Sequence, residues 1–167
     1  MINTSTLTGS NEIDQAPYYF FTPKKFKELP LEHQDQFLLL DESSTHAVYS
    51  GFNSRDMLCG DDGWGNKPFT GGSFKTIRRT EHWGDKDTIK KWLFDCGVPF
   101  KSEALILPVF KSDEDPAILT TWKMIVKYPD IFFESDNLVV CDPKLDWCLY
   151  YHHDVVMNFA SGWDHRM

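Results

Sequence analysis

Leu138-Val139-Val140-Cys141-Asp142-Pro143-Lys144-Leu145-Asp146-Trp147-Cys148-Leu149-Tyr150-Tyr151-His152 is the stretch that decides the fold. Two runs of β-branched, aliphatic and aromatic residues flank a short segment of Asp, Pro and Lys. Apolar runs separated by a few turn residues predict an antiparallel hairpin. With residues 143–146 as the loop, Asp142 faces Trp147 and Cys141 faces Cys148. A tight turn near His153-Asp154 then leads into a further strand over 155–159.

Working outward, residues 104–110 are apolar and read as a buried strand, followed by a charged turn over 111–116. Residues 118–121 either form a second strand or lead straight into a helix. Thr120 or Thr121 caps that helix, which carries Trp122, Ile125 and Val126 and has Pro129 beyond its end. Residues 131–133 read as a short strand or strand-like turn. The clearest helix begins at Asp85 or Asp87. Ile89, Trp92, Leu93 and Cys96 are spaced for one face of it, and Gly97 supplies the stop. A strand over 74–80 precedes it.

The N-terminal part predicts two helices, 22–29 with Thr22 as cap and Pro23 at the first position, and 31–40. Residues 41–73 read as loop-rich and hold six of the ten glycines. Within them, 46–52 is read as a strand and 54–59 as one helical turn. Loops this long are uncommon in compact domains and are often functional. Residues 1–16 read as a flexible leader and 17–167 as one globular domain. Helices that precede a strand meander with one inserted helix predict an α+β fold. Its expected form is N-terminal helices and a long Gly-rich loop, then a mainly antiparallel sheet with helices packed on one face.

Composition narrows the function classes. A chain of 167 residues with 15% aromatic content has the rings to build a substantial core. The net charge of −8 disfavours nucleic acid, whose binding rests on Lys and Arg neutralising phosphate. No apolar run reaches the ~18 residues that read as a membrane helix. Residues 1–11 lack the basic start and apolar middle of a signal peptide, so the expected address is the cytoplasm. Cys59, Cys96, Cys141 and Cys148 form no Cys-x-x-Cys pair and are read as reduced, buried thiols.

Three local clusters raise chemistry. The loop Cys59-Gly60-Asp61-Asp62-Gly63-Trp64-Gly65-Asn66 offers Asp61 and Asp62 to a hard cation, although it matches neither the calcium-loop nor the phosphate-loop spacing. Its plainer reading is a surface loop pinned by Trp64. His82 lies among Glu81, Asp85 and Asp87, a set suited to acid–base work that helix capping largely explains. His152, His153 and Asp154 carry metal-ligating groups, yet successive residues of a strand point to opposite faces. No nucleophile elbow occurs.

Charge is unevenly placed. Residues 67–91 hold seven Lys or Arg against three acids, a local +4. Residues 134–154 hold five acids against Lys144 alone, a local −4. Asp142, Asp146 and Asp154 interleave with Trp147, Tyr150 and Tyr151, which is the pattern of a protein-binding face for a basic partner. The plainer reading is a solvated sheet face.

The 104–110 strand, Thr121-Trp122-Lys123-Met124-Ile125-Val126, Ile131-Phe132-Phe133, residues 137–142 and residues 147–153 together resemble small bacterial immunity proteins of polymorphic toxin systems. A related bacterial domain of unknown function shares the pattern. The resemblance covers roughly residues 100–160 and is one of element order. It implies an acidic cytoplasmic protein that covers a toxin's active surface. It assigns no catalytic residue and no cofactor. The expected function is therefore a protein-binding module of the immunity type. The alternative is a small metal-assisted hydrolase using Asp61 and Asp62 with His82 or His153.

Overall fold

The 138–152 stretch folds as its alternation predicts. In the computed structural model, β6 (Leu138–Cys141) and β7 (Trp147–His152) pair antiparallel, with Cys141 opposite Cys148 and Leu138 opposite Tyr151. The structure describes residues 1–13, 22–55, 69, 74–81, 85–108, 115–133, 137–153 and 156–163. β8 (Val156–Trp163) continues the meander against β7. β4 (Glu103–Pro108) lies on the other side of β6 and pairs in turn with β5 (Ile118–Thr121). β1 (Gly9–Ser10), β2 (Leu38–Leu40) and β3 (Phe74–Glu81) complete eight strands in the order β1-β2-β5-β4-β6-β7-β8-β3, antiparallel at every pairing. With six α-helices among the described residues, this is an α+β fold.

Helices cover both faces of the sheet. Ala104 and Ile106 of β4 enter one core, while Leu105 and Leu107 enter the other. The first core packs against α1 (Pro23–Lys27), α4 (Lys86–Asp95), α5 (Trp122–Lys127) and α6 (Pro129–Phe132), and α2 (Leu31–Gln34) joins them through the ring of His33 against Tyr128. The second packs against α3 (Glu42–Asn53) through Val48 and Phe52. The sequence placed helices on one face only, and α3 is the addition. Burial on both sides explains why β4, β6 and β7 read as continuous apolar runs rather than alternating ones.

Local rules account for several boundaries. Thr22 Oγ1 accepts the Lys25 N–H at 3.2 Å, and Pro23 occupies the first turn of α1. Asp85 Oδ1 accepts from the N–H groups of Asp87 and Thr88, and Gly97, at φ +76°, closes α4.

Three predicted elements differ. Residues 46–52 are helical, because Asp41 Oδ1 caps α3 by accepting the Ser44 N–H at 2.8 Å, and Ser44, Thr45, Val48 and Phe52 form a buried stripe at helical spacing. The predicted 31–40 helix stops at Gln34. Leu38 and Leu39 pair with Leu119 and Ile118, so tertiary pairing overrides helix propensity. Residues 131–133 belong to α6 and its end, started by Pro129.

Within residues 1–16, expected as a flexible leader, a two-residue strand and one backbone hydrogen bond tie the chain to the rest of the fold. Gly9 and Ser10 pair with Leu40 and Leu39, and the Ile2 N–H donates to the Pro143 carbonyl at 2.7 Å. A Cβ on Gly9 would come within 2.1 Å of the Leu39 carbonyl oxygen, so only glycine allows this approach. At the far end of β8, Gly162 and Trp163 both donate to the Asp146 carbonyl, at 2.8 and 3.3 Å. Gly162 adopts φ +73°. Two residues facing one, with a left-handed glycine first, is a β-bulge. It sends Trp163 into the second core beside Phe74.

Candidate functional site

The β6–β7 turn is built around Asp142. The Leu145 N–H donates to the Asp142 carbonyl at 2.9 Å, closing a turn with Pro143 at its second position, where a fixed φ is favoured. Asp142 Oδ1 accepts the N–H groups of Asp146 at 2.6 Å and Trp147 at 3.1 Å. Leu145 sits at φ +62°, a conformation that L-residues other than Asn and Asp rarely adopt. Its side chain is fully buried in the second core, which holds the backbone in place.

The start of β4 lies across from this turn. The Ser102 N–H donates to the Pro99 carbonyl at 2.9 Å, and the Ser102 carbonyl accepts the Trp122 N–H at 2.8 Å. Glu103 pairs with Thr121, and its Oε2 accepts from Thr4 Oγ1 at 2.8 Å. Between the two segments lies a cleft of about 360 Å³, lined by Ser102, Glu103, Asp142, Pro143, Lys144, Asp146 and Trp147. Three carboxylates and one ammonium line it, so the lining carries a net −2.

Electrostatics favour a cation there. Burial pushes the Asp142 carboxyl above the usual carboxylate range, and the neighbouring Asp146 charge adds to the rise. Backbone N–H groups from Trp147, Asp146 and Lys144 pull in the other direction without reversing it. A positive group entering the cleft would stabilise the ionised forms of both acids.

Asp142, Asp146 and Trp147, expected on a partner-binding face, do converge on this cleft. The aromatic half of that expectation needs correction. Tyr150 is 3% exposed and belongs to the second core, while Tyr151 is fully buried in the first. Trp147 is 8% exposed, with its ring against Trp122 at 5.1 Å and Phe159 at 6.1 Å. Because β7 is covered on both faces, its alternating aromatics fill two cores instead of one exposed surface. Ser102, Glu103 and Lys144 were not singled out by sequence. They come from a strand start and a turn tip, which carry no motif.

The remaining candidates fall elsewhere. Asp61, Asp62, His82 and Asp154 lie outside the described residues. The His153 N–H donates to Asn137 Oδ1 at 2.7 Å, and its Nδ1 lies 2.9 Å from the same oxygen. The turn after β7 brings the His153 ring to 4.2 Å from that of His152. Among the described residues, no group of three or more His, Cys, Asp or Glu is placed to hold a metal ion. Cys141 and Cys148 are free, buried thiols that face each other, and burial pushes both well above the ordinary thiol range. Cys96, half-buried, is pushed up to about 12 by burial. His33 of α2 reaches the C-terminal end of α5. Lys127 Nζ lies 3.1 Å from its Nε2 and Tyr128 Oη 2.5 Å from its Nδ1.

No helix among the described residues is long and apolar enough to cross a membrane. No protein-family model and no curated protein matches the chain.

Proposed function

We propose that the protein is a binding module for a basic protein partner, acting in the cytoplasm in the manner of an immunity protein that covers a toxin domain. The observation that carries this reading is the cleft that Glu103, Asp142 and Asp146 line together with Trp147. Segments some forty residues apart in the chain supply these groups, and a partner's Arg or Lys side chain is the chemistry that complements them. Asp142 keeps the turn in shape. Glu103 and Asp146, which are more accessible, contact the incoming cation. The acidic net charge supports fast association with a basic surface and argues against nucleic acid as the partner.

The test is affinity capture from the native host at low and moderate salt, with the wild-type chain and a Glu103→Lys/Asp146→Lys variant as baits. A single basic protein held by the wild type, released as salt rises and lost from the folded variant, is the expected result. Equal capture by both baits, or no basic protein on either, overturns the reading.

A further inference from the structure

β3 lies at one end of the strand order, and among the described residues β8 is its only sheet partner. It runs for eight residues, whereas the strand at the opposite edge, β1, has two. Lys75, Thr76, Ile77, Arg79 and Glu81 are exposed along it, and Ile77 leaves 53% of its surface in solvent. The outer row of backbone N–H and C=O groups on such a strand is a template for another chain.

Charges on an edge strand ordinarily discourage pairing. On β3 their order favours one partner and one register. Two copies of β3, antiparallel about a two-fold axis at Arg78, place Lys75 opposite Glu81 of the partner subunit, and the reciprocal pair repeats the contact. Thr76 then faces Thr80 of the partner subunit. Ile77 faces Arg79 of the partner subunit, whose aliphatic stem can cover it. Opposite charges and Thr–Thr pairs are favourable cross-strand combinations, because directly opposed Cβ atoms lie ~4.5–5.5 Å apart. Arg78 meets its own symmetry mate, but its guanidinium is drawn away to donate to the Asp95 carbonyl at the end of α4. The in-strand ion pair of Arg79 with Glu81, at 2.7 Å, leaves the Glu81 carboxylate on the face that Lys75 shares.

The neighbouring registers are unfavourable. Side chains alternate between faces, so a two-fold register can shift only by moving the axis one residue. An axis at Ile77 sets Lys75 against the partner subunit's Arg79. An axis at Arg79 sets that residue against its own mate. Of these three adjacent axes, only the one at Arg78 sets opposite charges against each other.

We propose that β3 is a self-association edge, through which two copies of the chain join their sheets in the register centred on Arg78. This surface is separate from the acidic cleft and does not depend on the partner proposed for it.

Sedimentation velocity on the full chain over a wide concentration series tests this, with Glu81→Lys, Lys75→Glu and the double reversal Lys75→Glu/Glu81→Lys alongside. The wild type should shift toward the dimer as concentration rises. Each single reversal places like charges opposite each other and should lose the dimer. The double reversal restores opposite charges and should regain it. Both positions are exposed, and far-ultraviolet circular dichroism confirms that each variant is folded; if one single variant fails to fold, the other carries the same test. A wild type monomeric throughout, a folded single variant that dimerises like the wild type, or a folded double variant that stays monomeric would each overturn the proposal.

Discussion

The two faces of the sheet are covered by different means. On the first, α1, α5 and α6 bring in the buried rings of Phe26, Trp122 and Phe132. Trp122 touches Trp147 and Phe159, and Phe133 packs on Tyr151 at 5.4 Å. On the second, the strands present small groups such as Cys141, Cys148 and Ala160. The cover there is assembled from Ile2, α3, Phe69, Phe74, Leu145 and Trp163. Most of the first core comes from one continuous half of the chain, and the second is gathered from both ends and the middle. The cleft depends on both, since Trp147 is seated in the first core and Leu145 in the second. The ring-rich face therefore sets overall stability, while the assembled face sets the shape of the turn beside the cleft.

The sharpest break of this comparison is a matched pair of truncations. Trp122→Ala empties a fully buried site among rings and should cost about 3–5 kcal/mol. Val48→Ala on the α3 side removes two methyl groups and should cost about 2 kcal/mol. Urea denaturation of both variants checks the order. If Val48→Ala were the more damaging, the second face would be the structural centre.

How much of this was legible in the sequence follows from the same division. β3, β4, the β6–β8 meander, α4 and α5 were readable because apolar spacing, Asp85 and Gly97 act locally, although Thr121 holds the cap position of α5 without a side-chain hydrogen bond. The hairpin register, Cys141 opposite Cys148, followed from loop length alone. α3 was missed because its cap, Asp41, was not singled out and its buried stripe includes Ser44 and Thr45, which do not read as core. β1 and β2 were missed for a different reason. Three leucines beside a polar leader become strands only when β5 supplies an edge. At the candidate site, Asp142, Asp146 and Trp147 were legible as an acidic turn with an aromatic residue. Glu103 was not, since its proximity is a product of the β4–β6 pairing. The outward-facing roles given to Tyr150 and Tyr151 failed because one strand's alternation cannot reveal that its second face is also covered.

Leu145 separates side-chain packing from backbone strain on the second face. Leu145→Ala removes a fully buried side chain and leaves the left-handed backbone in place, at a cost of about 2–5 kcal/mol. Leu145→Gly removes the same packing and makes the positive φ easy. It should therefore be the milder of the two by about 1 kcal/mol, against the usual ranking of Ala over Gly. Paired denaturation curves read this difference directly. A Gly variant less stable than the Ala variant would mean that the turn changes conformation once Leu145 is gone.

Asp142 gives the smallest effect and the most specific one. Its carboxylate holds two backbone N–H groups, so Asp142→Ala leaves them without a partner in a buried turn and should cost about 1–3 kcal/mol. Asp142→Asn keeps an accepting oxygen and should cost little. The sign of its pH dependence follows from the raised carboxyl. A group whose folded pKa lies above its unfolded value stabilises the fold when protonated, and that contribution disappears as pH rises through the folded pKa. The wild type should therefore lose stability relative to Asp142→Asn as pH climbs from below the ordinary carboxylate range to neutrality. Denaturation midpoints of the two proteins, compared across that window, measure the effect. A gap that stays constant with pH would mean that the turn's hydrogen bonds fully offset the burial of the charge, and it would leave Glu103 and Asp146 as the acids that favour a cation in the cleft.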